Sequence, residues 1–432
     1  MPENNPLRDA FRFVSGNTLV ISVTGMLGNF ARAMVFPYLS LYILALGGEA
    51  AQIGFINSLR PLAGLIAFPI AGYIADRASR VKLIVLANLF SATIVLMYLV
   101  APTWQLLAVG AVLQGFAVIM FPARSALIAD SLAPGDRGRG IAAMNTIMST
   151  LAILAPFVAG VIVDAYGPNT GVRILYGVML VLYLATAFIH MRYLTETLPS
   201  SRERIYLARL PRIIRDAYSG IPETLSGMPR SLGALTGVVV LNFAANAVAS
   251  PFWVVYAVEE IGLSSSAWGL ILLIESALKM LLFLPAGVLV DRWGRTVSLL
   301  TALLMALVAI PAFVLANGFV AVMLIRGAIA VAFVVAVPAS TALMADLVPR
   351  EKRGRVMAAL GQGGIMLGAA GGGTGGPGVG YVITLPLMVS SLLGGLLYTA
   401  NPAYPWLFVL LTTTLQILLV AFVVRDPKRA QA

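Results

Sequence analysis

Long runs without a charged side chain alternate along this chain with short clusters of basic residues. Residues 83–123, 140–163, 231–258, 296–325 and 356–424 contain no Asp, Glu, Lys or Arg. A bilayer-crossing helix needs ~20 mainly apolar residues, so these stretches must supply several spans. The pattern predicts crossings over 17–46, 51–75, 82–101, 104–129, 140–164 and 172–191, then 232–258, 266–290, 297–316, 319–345, 356–398 and 403–424. The fold class expected is all-α integral membrane, with twelve transmembrane helices. A polar, basic stretch divides them into residues 1–191, a linker over 192–231, and residues 232–432. Within the linker, Arg202 to Leu210 reads either as a basic amphipathic helix on a membrane surface, cut by Pro211, or as a solvated connection.

Composition agrees with the pattern. The 432 residues are 59% hydrophobic and 11% charged, against about 25% charged in soluble proteins. Cysteine is absent and histidine occurs once, at His190. Thiolate and multi-histidine metal sites are thereby excluded, and no cofactor is expected. His190, beside Arg192 near a helix end, reads as a solvated interfacial residue. No nucleophile has a histidine base and no metal cluster is available, so a membrane enzyme is disfavoured. The polar, basic start from Met1 to Phe13 does not read as a cleavable leader.

The net charge of +11 would suggest nucleic acid in a soluble protein, but its distribution points to the bilayer. Basic residues cluster in alternate connections, while the intervening ones hold Glu49, Asp164, Glu259 and Glu260 and little basic charge except Arg173. Cytoplasmic loops carry the Lys/Arg excess. The expectation is a multi-pass protein of the cytoplasmic membrane with both termini and the linker inside. Its partners are a small-molecule substrate, protons and lipid, and it is expected to act as a monomer.

One nine-residue pattern occurs twice, about 215 positions apart. Gly72, Asp76, Arg77 and Arg80 match Gly287, Asp291, Arg292 and Arg295, and Asp130 and Asp346 recur at nearly the same offset. Duplicated halves with matched charged turns are a layout of secondary transporters. The repeated Gly-x-x-x-Asp-Arg-x-x-Arg pattern resembles the signature of the major facilitator superfamily, and the resemblance covers essentially the whole chain. It implies two six-helix bundles with pseudo-twofold symmetry around a central cavity that opens alternately to each side. It also implies that the first, fourth, seventh and tenth helices line that cavity. The residues of the two patterns, with Asp130 and Asp346, are assigned to gating, where the glycines would permit close helix contact. Simple anchoring of the turns is the plainer role for the charges.

Other family features are altered. Where proton-coupled drug antiporters of the family carry an arginine in the fourth helix, this chain has Gly110, and the arginine stands at the matching place of the tenth helix, Arg326. The fifth-helix antiporter pattern survives as Pro156 and Gly160, with Ala155 and Ala159 in place of glycines. The eleventh span is too long, because residues 368–380 insert a glycine-rich stretch. Glycine costs ~1 kcal/mol and proline ~3 kcal/mol in a helix, so a broken or re-entrant element is expected, with a long outer loop as the alternative.

Six ionisable groups fall at bilayer depth: Arg32, Arg60, Arg124, Glu275, Lys279 and Arg326. Such groups mark function more often than packing. Glu275 is the one carboxylate among them and is the proton-coupling candidate, unless its pairing with Lys279 at i,i+4 makes it structural. Asn29, Arg32, Tyr38, Asn246, Trp253 and Arg326 are the substrate-binding candidates, since amide, aromatic and cationic side chains suit an amphiphilic or anionic ligand. The function read from this is proton-coupled export of amphiphilic or anionic compounds by alternating access. A facilitator or importer of sugars or organic anions and a non-transporting membrane sensor are the alternatives.

Overall fold

The computed structural model describes residues 13–198, 209–219, 228–348, 364–370 and 380–425. The first four crossings are Gly16–Ala45 (α1), Ala50–Ala75 (α2), Arg80–Leu99 (α3) and Trp104–Ser131 (α4). One continuous helical stretch, Arg137–Tyr193, contains two more. Its backbone reverses at Gly167, where φ is 76° and ψ 164°, a conformation that glycine adopts without steric cost. Pro168 then begins the returning helix, where its missing N–H costs nothing. The crossings are therefore 137–166 (α5) and 168–193 (α6). The second half comprises Arg230–Glu260 (α7), Ser265–Trp293 (α8), Arg295–Leu315 (α9), Gly318–Leu347 (α10), Tyr381–Ala400 (α11) and Tyr404–Phe422 (α12). Large apolar side chains such as Leu284, Leu315 and Phe422 stand exposed on the flanks. Only hydrocarbon suits a surface of that kind.

Within the linker, the helix observed is Leu210–Ser219. Most of the expected amphipathic stretch, 202–208, lies outside the described residues, and Pro211 stands in the first turn of the observed helix instead of ending one. Proline in a first turn is well tolerated. The Tyr218 hydroxyl fastens this helix to the Leu65 carbonyl of α2.

The two bundles meet along α2–α11 and α5–α8 at the face opposite the basic turns. Small residues bring the helices together there. A Cβ at Gly160 would collide with the Ser265 carbonyl, one at Gly269 with the Pro156 carbonyl, and one at Gly54 with the Ser391 carbonyl. Close backbone approach through small residues is how membrane helices gain van der Waals contact. Two polar devices cross the same seam. The buried Tyr38 hydroxyl reaches the carbonyls of Pro156 at 2.7 Å and Ser265 at 3.0 Å. The Asp164 carboxylate of α5 accepts the N–H groups of Ser265 and Ser266 of α8, each at 2.8 Å. An acid at a helix N-terminus satisfies orphan donors and complements the dipole.

The basic face is different. Among the described residues, nothing lies within 4 Å of a Cβ built at Gly72 or Gly287. Neither signature glycine approaches another described helix closely in this conformation. Among the described residues, the close backbone contacts between the bundles lie at the face opposite the basic turns.

The eleventh element is interrupted as far as it is described. Residues 364–370 form no helix, and Gly368 has φ of 62°; 371–379 lie outside the described residues. Tyr381–Ala400 has 20 residues, about 30 Å at 1.5 Å per residue, and crosses by itself. The segment 364–370 is additional, held at bilayer depth by protein. Asn242 Oδ1 accepts from Met366 N at 2.9 Å, Asn246 Oδ1 from Ala369 N at 3.1 Å, and Ser340 Oγ from Ile365 N at 3.0 Å. Irregular backbone survives in a membrane only where such partners cover it.

Candidate transport site

A cavity of about 550 Å³ lies between the bundles. Asn29, Arg32 and Phe36 of α1 and Ser149 and Pro156 of α5 form one wall; Glu275 and Lys279 of α8 and Arg326 and Phe333 of α10 face them. Met366 of the inserted segment completes the lining. Glu275 is 3% exposed and Arg326 1% exposed. Arg326 Nε donates to Glu275 Oε2 at 2.7 Å, with Nη2 at 2.5 Å from the same oxygen. Lys279 Nζ donates to Glu275 Oε1 at 2.5 Å. A third contact, Arg326 Nη1 to the Gly368 carbonyl at 2.9 Å, ties this cluster to the inserted segment. The guanidinium also lies over the rings of Trp253, 4.6 Å from its centroid, and Trp268, at 5.7 Å. Cation–π contact strengthens when the cation is desolvated. Each lone ion here would be costly at bilayer depth, and the pairing offsets that cost.

Four of the seven substrate and coupling candidates thus line one cavity: Asn29, Arg32, Glu275 and Arg326. Tyr38, Asn246 and Trp253 do not. Tyr38 lies in the sealed seam, Asn246 fastens 364–370, and Trp253 packs beneath Arg326 against Phe313 and Trp406. Helix periodicity places these three on inward faces without saying whether inward means cavity, seam or core.

Lys279, Phe333 and Met366 belong to the wall beyond the substrate-binding candidates. Lys279 had an available signal, its i,i+4 spacing from Glu275. The pairing of Glu275 with Arg326 had none, since 51 residues separate them. His190 is a correction: it is 6% exposed and not solvated. Thr24 Oγ1 lies 2.8 Å from its Nε2, and Asn88 Nδ2 2.7 Å from its Nδ1.

At the basic face the third charge of each signature finds an acid at the end of the next helix pair. Arg80 pairs with Asp130 and Arg295 with Asp346. Arg77 stacks on the Tyr73 ring, 4.3 Å from its centroid. Asp76, Asp291 and Arg292 make no ion pair with another described residue. The first half adds Glu196, just beyond α6. Burial raises its carboxyl, but hydrogen bonds from Ser79 Oγ and the N–H groups of Leu198, Val81 and Thr197 outweigh that and hold it below the ordinary carboxylate range.

Sequence comparison decides the family. The sequence model of the Major Facilitator Superfamily matches residues 21–221 and 235–432. The chain belongs to the Major Facilitator Superfamily. It is therefore a multi-pass membrane transporter of small molecules and not an enzyme. It is 27% identical over 310 residues to the multidrug resistance protein MdtG of Escherichia coli O9:H4, a match covering 67% of this chain and 69% of that one. It is 32% identical over 163 residues to MdtG of Serratia proteamaculans, covering 36% of this chain and 39% of the relative. The crystal structure of the nucleoside transporter NupG superposes with a TM-score of 0.61 at 14% identity, over 93% of this chain and 97% of that one. A bacterial homologue of the lysosomal transporter Spinster, solved inward-facing and occupied, gives 0.65 at 14% identity over 94% of each chain. Likeness at that level establishes the fold alone.

Proposed function

We propose that this transporter exports amphiphilic small molecules bearing a negative or strongly hydrogen-bond-accepting group, with Glu275 as its exchangeable proton site. The observation that carries the reading is the charge of the central cavity. Arg32, Lys279 and Arg326 face one carboxylate, Glu275, beside the apolar rings of Phe36 and Phe333. That combination suits a ligand with an acidic or acceptor head and an apolar body. The names of the MdtG relatives favour export. By the positive-inside rule the basic face is cytoplasmic, which puts both termini inside and makes the sealed seam the outer gate. Opening that seam would bring Gly72 and Gly287 against the opposite bundle, with the Arg80–Asp130 and Arg295–Asp346 pairs steadying the turns as the cytoplasmic gate forms. This is the alternating rocking of two repeats around a central site.

A proton taken by Glu275 removes the charge that holds both Lys279 and Arg326. Proton loading and the ion-pair cluster are therefore alternatives, and a cargo head that competes for Lys279 links the two. The test is flux of aryl carboxylates and sulfonates into inside-out proteoliposomes under an imposed pH gradient. Glu275→Gln, which keeps an oxygen for Arg326, should retain ligand binding and lose the response to the gradient. An unchanged gradient response in that variant would refute the coupling role. The full pairing of Glu275 also supports a second reading, a gradient-independent facilitator of organic anions, in which wild type and Glu275→Gln would both equilibrate cargo without a gradient.

A further inference from the structure

A second cavity, of about 340 Å³, lies inside the N-terminal bundle and not between the bundles. Three arginines from three helices line it: Arg32 of α1, Arg60 of α2 and Arg124 of α4, together with Gln114, Asn88 and His190. No Asp or Glu is among its lining residues. Among the described residues no carboxylate pairs with any of the three guanidiniums. Each carries five N–H donors, and each spends one on a protein acceptor. Arg60 donates to Gln114 Oε1, Arg32 to Asn29 Oδ1 at 2.5 Å, and Arg124 to the thioether sulfur of Met148 at 3.2 Å. Thioether sulfur is a weak acceptor. The α1 backbone is bare where the guanidiniums approach it: a Cβ at Gly25 would stand 2.8 Å from Arg124 Nη2, and one at Gly28 3.5 Å from Arg32 Nη1. A side chain at Gly25 would crowd both the Met148 thioether and the Arg124 guanidinium, whereas at Gly28 the contact would be an ordinary one.

Three like charges with unspent donors around one chamber at bilayer depth are mutually repulsive and costly. An anion inside relieves both terms at once, as charge-assisted bonds to a planar fork do best. We infer that the interior of the N-terminal bundle is a binding chamber for a compact oxyanion, held by Arg60, Arg124 and Arg32, with Gln114 and Asn88 as neutral partners. Arg32 and Phe36 line both this chamber and the central cavity, so an anionic head could occupy the chamber while an apolar body remains between the bundles. A free inorganic oxyanion has the same chemistry. Neither proton coupling nor the direction of transport enters this assignment.

The test is equilibrium binding of radiolabelled sulfate to the purified protein in lipid nanodiscs at constant ionic strength. Wild type should bind saturably. Arg60→Gln and Arg124→Gln should each weaken binding roughly tenfold, the size expected for one charge-assisted contact. Arg60→Lys keeps the charge and should bind between the two, which guards against a variant that fails to fold. Competition by 1-naphthalenesulfonate identifies the anion as a cargo head group; its absence identifies a free inorganic ion. No saturable binding in wild type, or equal binding in wild type, Arg60→Gln and Arg124→Gln, overturns the chamber.

Discussion

The two halves are alike at the basic face and unlike at bilayer depth. Both have the signature turn, an open glycine, and an arginine paired to the acid that ends the fourth or tenth helix. In the membrane interior the C-terminal half pairs Arg326 and Lys279 with Glu275, whereas in the N-terminal half Arg32, Arg60 and Arg124 form no ion pair with a described carboxylate. Duplication has preserved the charged turns and let the chemistry at bilayer depth diverge. Arg60 and Glu275 show this at equivalent positions, each sixteen residues before its signature Asp.

The largest expected effect breaks the C-terminal arrangement. Glu275→Ala leaves two cations facing each other and should lower unfolding stability by about 3–5 kcal/mol, the cost of orphaning a buried partner. Thermal melting in nanodiscs measures this, and Glu275→Leu combined with Arg326→Met should recover most of it. Arg60→Met should move stability the other way, or by less than about 1 kcal/mol, because it removes a repulsive charge and orphans only the Gln114 amide. A loss as large as that of Glu275→Ala would mean that the halves do not differ in the manner described.

Other substitutions test the likeness. Arg80→Gln and Arg295→Gln should each cost about 0.2–1 kcal/mol, as partly exposed ion pairs do, and the two costs should agree. Gly72→Val and Gly287→Val should leave this conformer's melting within about 0.5 kcal/mol while disfavouring closure of the basic face. The chain has no cysteine, so single cysteines introduced at the opposite face would report the change as reduced labelling. An effect at Gly72 without one at Gly287 would count against a symmetric gate. Glu196 belongs to the basic face of the first half. Its carboxyl is held below its unfolded value, so its contribution is complete above the ordinary carboxylate range and disappears as pH falls through the lower folded value. Melting of Glu196→Gln should show a smaller loss on acidification than wild type.

The crossings were legible in the sequence because charge-free runs of membrane length leave one reading, and the paired signatures made the repeat plain. Glu275 and Arg32 were legible because a charge in such a run must be explained. What could not be read is lateral register. Which helix supplies the partner of Glu275, whether Tyr38 points at cargo or at a carbonyl of the other bundle, and that Arg60 meets Gln114 are fixed by packing between helices distant in sequence. Gly110 shows the same limit. A Cβ there would strike the Tyr98 ring, so the arginine found in related antiporters has no room, and Arg60 from α2 meets Gln114, one turn further along α4.

Asp164 stands in one bundle and terminates a helix of the other. When the sealed face parts, α8 must lose the group that completes its first turn, and two backbone N–H groups must turn to water. Helix-end integrity in one half is therefore a readout of the position of the other. A cap of this kind is worth ~1 kcal/mol, comparable to thermal energy and small enough to be reversed on every cycle. The Asp164 carboxylate is thus one latch of that face, beside the Tyr38 hydroxyl.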